Sequence, residues 1–223
     1  MRPSEERNFG KKGFFDLSGR RSKLIYLAAA ILVFLFMRML DNTVHEFSHA
    51  LAVFAVGGEL APDPFLITPF GGYTRWQEVP RVFLPFVNIA GTLGSIFVFA
   101  LLFIPAYLFS TKIWVKWISY WGVTELVNIL FYWTACPIVS VAGRFDPISF
   151  SRHLHIYPVW VVGAVAAVPF ALAVYGVVRA TATLRRSVLN DPDYFHVKCL
   201  LGFYAFYFFV SISKYLDWLV VEV

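Results

Sequence analysis

Charge is what this chain has least of. Only 15% of its 223 residues are Asp, Glu, Lys or Arg, whereas 59% are hydrophobic and 19% aromatic. A soluble domain carries about 25% charged residues, so this composition argues against one. The long uncharged runs predict a polytopic membrane protein. Cysteine is nearly as scarce. Cys136 and Cys199 both fall in apolar segments, which excludes a disulfide framework and a thiolate zinc motif. Five histidines are too few for the multi-histidine boxes of a di-iron lipid desaturase. The first apolar run has no small-residue cleavage site behind it, as a cleavable signal peptide would require. Nothing resembles a nucleic-acid module. The formal net charge of +5 speaks instead to orientation and to lipid headgroups.

The runs themselves predict an all-α membrane protein, a bundle of about five transmembrane helices with a small β-hairpin-like loop after the first. Residues 1–23 are polar and basic, and read as a flexible or interfacial tail. A first helix runs from Leu24 through Arg38 to Val56 and stops at Gly57-Gly58, a C-terminal signal. That is well beyond the roughly 20 residues a span requires, so a tilt, or a kink around Arg38 to Asn42, is expected. Residues 59–81 carry the turn signals Pro62-Asp63-Pro64 and Gly71-Gly72, with short strands expected at Phe65–Phe70 and Tyr73–Trp76. Three stretches, Val82–Phe109, Trp114–Ala142 and Ile156–Val178, read as further helices. A polar loop then leads to a fifth at Val197–Val220, where Lys214 and Asp217 are expected to snorkel or pair. Ala90, Gly91, Gly94 and Ser95 put small residues four apart twice, which reads as close helix packing. The expected organisation is a basic tail (1–23), a three-helix membrane core (24–150) and two further helices (151–223).

Chemistry concentrates at His45-Glu46-Phe47-Ser48-His49. Histidines four apart share one helix face, one turn apart, so both imidazoles can converge on one metal ion. Glu46 stands beside them, where it can act as general base on a metal-activated water. A carboxylate facing lipid costs about 2.5–3.5 kcal/mol, so Glu46 is expected to face a protein interior. A catalytic zinc site needs a third protein ligand. The sequence offers Asp146, Glu125, and the pair His153 and His155, which read as alternating across an extended segment. Glu125 and Asn128 lie one turn apart inside the third helix, where an acidic residue is a functional candidate.

The stretch His45-Glu-Phe-Ser-His49-Ala-Leu-Ala resembles the first motif of the site-2 protease family of intramembrane zinc metalloproteases. Phe70-Gly71-Gly72-Tyr73 is similar to that family's glycine-containing strand, and Ala90-Gly-Thr-Leu-Gly-Ser95 to its second core helix. Asp146 follows the third core helix at about the family's distance. The likeness covers roughly residues 24–150 and implies His45, His49 and Asp146 as ligands of one Zn2+ per chain, with Glu46 as the catalytic base. It implies substrate contacts at Gly71, Gly72, Tyr73 and Asn128. The chain departs from the pattern where Pro147 replaces the Gly after the aspartate, and where Thr92 and Ser95 replace a Pro and an Asn.

The expectation is therefore an intramembrane zinc endopeptidase acting on transmembrane protein substrates within the lipid bilayer, with an unwound substrate segment added to the edge near residues 66–76. Two alternatives remain at this point. One is a membrane zinc hydrolase of lipid amides or esters; the other is a non-catalytic, metal-binding protein that captures a partner helix. The basic tail, Lys112, Lys116 and the 179–198 segment share one side, which the positive-inside rule makes cytoplasmic, along with the N-terminus. The resemblance implies the opposite direction for the first helix.

Overall fold

The computed structural model describes residues 15–139 and 145–221. The end expected for the third helix, at Ala142, and the turn at Gly143 lie outside them, as do the side chains of Lys214 and Asp217. Six helices dominate the described residues: α1 (Arg20–Ala55), α2 (Leu84–Phe109), α3 (Ile113–Val139), α4 (Asp146–His153), α5 (Trp160–Ser187) and α6 (Phe195–Val221). Among the described residues three stretches, Arg20–Ala55, Arg81–Phe109 and Trp160–Arg185, are long and apolar enough to cross a membrane.

The first helix runs as one element through Arg38 to Asn42. It is held there by charge. The Arg38 guanidinium is 2% exposed and donates to Asp41 Oδ2 at 2.8 Å and, across to α3, to Glu125 Oε2 at 2.7 Å. Its other nitrogen donates to the Tyr207 hydroxyl of α6 at 2.7 Å, and the same ring lies under the guanidinium. The Tyr204 hydroxyl reaches Glu125 Oε1 at 3.2 Å. A buried cation with no partner would cost several kcal/mol, so three helices converge on this one.

Residues 59–78 are regular where only short strands were expected. β2 (Glu59–Thr68) and β3 (Gly71–Glu78) form an antiparallel hairpin, with Phe65 opposite Thr74 and Thr68 opposite Gly71. The register shifts between Leu60 and Phe65. That shift takes up Pro62 and Pro64, which lack the N–H a regular ladder needs. Both strands at the hairpin's base meet the C-terminal part of α1, where Leu60 and Trp76 pack with Val53 and with Val87 of α2.

The tail is tied down from Phe15 onward. β1 (Phe15–Asp16) pairs in parallel with β4 (Leu189–Asn190), in the segment read as a polar loop. Leu17 follows, fully buried among Tyr26, Trp117, Leu184 and Leu189. Lys23 reaches Asp193 at 2.5 Å, and Asp191 caps α6 by accepting from the backbone N–H groups of Phe195 and His196. The buried Tyr26 hydroxyl and His196 Nδ1 are bonded to each other. The extended segment expected at His153 and His155 is corrected too. Pro147, in the first turn, starts a helix with its fixed φ, so His153 ends α4 while His155 turns in the left-handed region.

Replacing Arg38 with Met should lower stability by about 3–5 kcal/mol, because two buried carboxylates lose their cation. Adding Glu125→Gln should recover part of that loss. Thermal denaturation of the two variants in one detergent checks both signs, and equal midpoints for wild type and Arg38→Met would refute the account.

Candidate metal centre

α1 brings His45 and His49 to one face, and the structure adds Asp146 from the first turn of α4. His45 Nε2 is 2.9 Å from Asp146 Oδ2, His49 Nε2 is 3.4 Å from the same oxygen, and the two Nε2 atoms are 3.1 Å apart. Donor atoms bonded to zinc at about 2.0–2.1 Å in tetrahedral geometry stand roughly 3.3 Å apart, so this triangle has the size of one face of such a shell. The three residues form a group able to hold a metal ion.

The surroundings fix each ligand atom. His49 Nδ1 lies 2.6 Å from the Val87 carbonyl of α2, which only accepts, so Nδ1 carries a proton and Nε2 is the atom turned to the site. The Asp146 backbone N–H donates to the Tyr132 hydroxyl at 3.2 Å. Burial alone would raise the Asp146 carboxyl. The hydrogen bonds and charge of His45 and His49 outweigh it and hold the group well below the usual carboxylate range. A deprotonated carboxylate is the form that ligates. Pro147, where the resemblance has Gly, thus coexists with an aspartate aimed at the histidines.

Gly91 creates the space. A Cβ at this position would sit 2.4 Å from His49 Nε2 and 2.7 Å from His45 Nε2. Gly91, read as helix packing, therefore also borders the ligand atoms.

Glu46 is 5% exposed and points toward the hairpin. The Thr74 hydroxyl lies 2.7 Å from Glu46 Oε2 and 2.9 Å from its backbone carbonyl. Among the described residues Oε1 accepts no hydrogen bond. Gly72 lets β3 pass this close, since a Cβ there would sit 2.9 Å from Oε1. Alternation along β3 puts Gly72, Thr74 and Trp76 on the α1 face, and the Trp76 ring lies 6.4 Å from that of His49. Tyr73 belongs to the other face and pairs with Arg75, whose guanidinium donates to its hydroxyl at 2.8 Å. Gly71 opens β3 just after the turn, and its carbonyl accepts from the Thr68 hydroxyl at 2.7 Å.

A polar relay anchors the turn. Asn42 Nδ2 donates to the Thr68 carbonyl at 2.6 Å, and its Oδ1 accepts from Arg38 at 3.4 Å. Arg38 thereby orients the amide whose other end grips the hairpin. Glu125 is committed to Arg38 and stands outside the histidine group. Asn128 is half-buried on α3, with no side-chain hydrogen bond among the described residues. His153 accepts from Asn88 Nδ2 at 2.9 Å and is not in the triangle.

No family matches. No characterised protein and no solved structure matches the chain either. The site therefore stands on its own residues.

Thr74, Gly91, Asn42 and Val87 were missed from the sequence. Period-two alternation from Gly72 would have found Thr74. Gly91 carried only a packing signal, and nothing in sequence points to a backbone carbonyl.

Purified protein should bind about one zinc per chain, and Asp146→Ala should lose it while Glu125→Ala keeps it. Gly91→Ala should also lose metal, by filling the space between the imidazoles. Metal analysis of the four proteins decides this; zinc retained in Asp146→Ala would remove that residue from the set. Asn42→Ala should speed amide hydrogen exchange at residues 68–74 without lowering metal content.

Proposed function

We propose that the chain is an integral membrane zinc endopeptidase that cleaves peptide bonds in transmembrane or membrane-proximal segments of protein substrates. The observation that carries this reading is the His45, His49 and Asp146 triangle with the Glu46 carboxylate beside it. Two histidines and a carboxylate are an ordinary hydrolytic zinc set, and the site-2 protease resemblance names the same residues. Zinc, when bound, supplies a Lewis acid that polarises a carbonyl and brings a water's pKa to about 7.

The remaining steps belong to this chain's own side chains. The Thr74 hydroxyl holds one oxygen of Glu46, leaving Oε1 to accept a proton from the attacking water. The protonated Glu46 then donates to the leaving amine, so the proton is conserved through the cycle. Substrate binding rests on the hairpin. Among the described residues β2 and β3 pair only with each other, so each offers an unpaired backbone edge to an extended peptide. A helical substrate must unwind first, because its amides and carbonyls are already bonded to one another.

We read α1, α2, α3, α5 and α6 as the five spans. α3 and α6 have 27 residues each, roughly 40 Å at 1.5 Å per residue. His45 lies roughly 30 Å along α1 from Leu24, which is the thickness of a hydrocarbon core. The metal centre thus belongs near one membrane face, and Arg20, Arg21, Lys23, Lys112, Lys116 and Arg179 near the other. With the basic end cytoplasmic, the N-terminus is cytoplasmic and the site is reached from the opposite side.

Glu46→Gln keeps the size of the side chain and removes the base. It should abolish cleavage of a reconstituted transmembrane substrate, by at least about 10²-fold for loss of a general base, with zinc content unchanged. Cleavage at the wild-type rate in that variant would sink the mechanism.

A further inference from the structure

At the end of the bundle away from the hairpin, a cavity of about 140 Å³ opens between α2, α3 and α5, lined by Tyr107, Leu108, Lys116, Thr183, Leu184 and Val188. We propose that it binds the phosphodiester of an anionic membrane phospholipid, with Lys116 as the cation. This inference rests on the membrane placement above and is independent of the hydrolase reading.

Three observations support it. Lys116 is half-buried in the first turns of α3, and among the described residues no carboxylate lies within ion-pair distance of it. A partly desolvated ammonium without a counter-charge favours an anionic occupant. The Tyr107 hydroxyl is already committed, donating to the Ala180 carbonyl at 3.0 Å, and among the described lining residues Lys116 is the charged one. The volume is well above the ~10–15 Å³ that one water needs, enough for a phosphate group and too little for acyl chains.

The source of the phosphate follows from the walls. Leu108 is 57% exposed and Phe109 is 79% exposed at the same helix end, so the mouth is flanked by apolar surface suited to acyl chains. Lys112 and Arg179, both exposed and without an ion-pair partner among the described residues, belong to the same end, which the β1–β4 pairing joins to Arg20, Arg21 and Lys23. A basic site between helices at a membrane face is an arrangement that recognises anionic headgroups.

Native mass spectrometry of the full chain in neutral detergent, titrated with phosphatidylglycerol, phosphatidylcholine or inorganic phosphate, tests this. One phosphatidylglycerol per chain should be retained in preference to phosphatidylcholine. Lys116→Gln should weaken that retention about fivefold, the worth of one lysine at an anionic surface. Lys116→Arg should preserve it, and Lys112→Gln, on the exposed rim, should change it less than twofold. Thr183→Phe leaves the charge in place and fills the mouth from an exposed position; it should weaken retention as well, which covers the case where Lys116→Gln does not fold. Equal retention of the two lipids would overturn the proposal. So would unchanged retention in both Lys116→Gln and Thr183→Phe. Displacement of phosphatidylglycerol by millimolar phosphate alone would reassign the cavity to a free anion and overturn the lipid source.

Discussion

One guanidinium fixes the rotation of the helix that everything else uses. Arg38 is bonded to Asp41 and Asn42 within α1, to Glu125 on α3 and to Tyr207 on α6. Helical spacing then determines what the same face offers further along. Positions 38, 42, 45 and 49 follow one another at three or four residues, with 41 beside 42 and also three on from 38, so they form a single polar stripe down an otherwise apolar rod. A helix so apolar could turn about its axis with little cost in packing. It cannot do so without stripping a buried cation of its carboxylates, which is the larger penalty by several kcal/mol. The imidazoles therefore face α2 and α4 for an electrostatic reason located two turns away.

The candidate metal centre shows the same division between what supplies chemistry and what holds it. Three side chains present donor atoms at coordinating separations, but each is oriented by a group with no chemistry of its own. Val87 offers a carbonyl, Tyr132 a hydroxyl, and Gly91 the absence of a Cβ. The Glu46 carboxylate beside them is similarly set by Thr74 on a strand. Losing a second contact of this kind commonly costs about 10–100-fold in metal affinity or activity.

Much of this was legible beforehand, and the boundary is physical. The pairing of His45 and His49 follows from helix period alone, and the apolar runs gave each long helix within a few residues, except where α5 continues to Ser187. The two glycines and two prolines marked the hairpin, although not its length, because Leu60 and Glu59 pair across an irregularity that periodicity cannot express. Asp146 was one of several candidates, since the approach of α4 to α1 is a tertiary fact. Glu125 looked equally good as an isolated acid in an apolar segment. Only the position of Arg38 in space shows that its charge is already answered. The ordering of the tail from Phe15 onward is not legible in sequence, because two residues of parallel pairing leave no pattern in composition.

The irregularity in the hairpin has a consequence for how the chain can vary. Between the pairs Leu60–Trp76 and Phe65–Thr74, the residues from Ala61 to Pro64 face Arg75 alone. A slip of one residue along β3 would exchange its faces and bring Arg75 toward Glu46 in place of Thr74. The wide bulge stands between that hazard and any change of length nearer the base of the hairpin. Insertions or deletions at Ala61–Pro64 can be absorbed there, so the hairpin can lengthen or shorten at its base while the residues facing Glu46 keep their places.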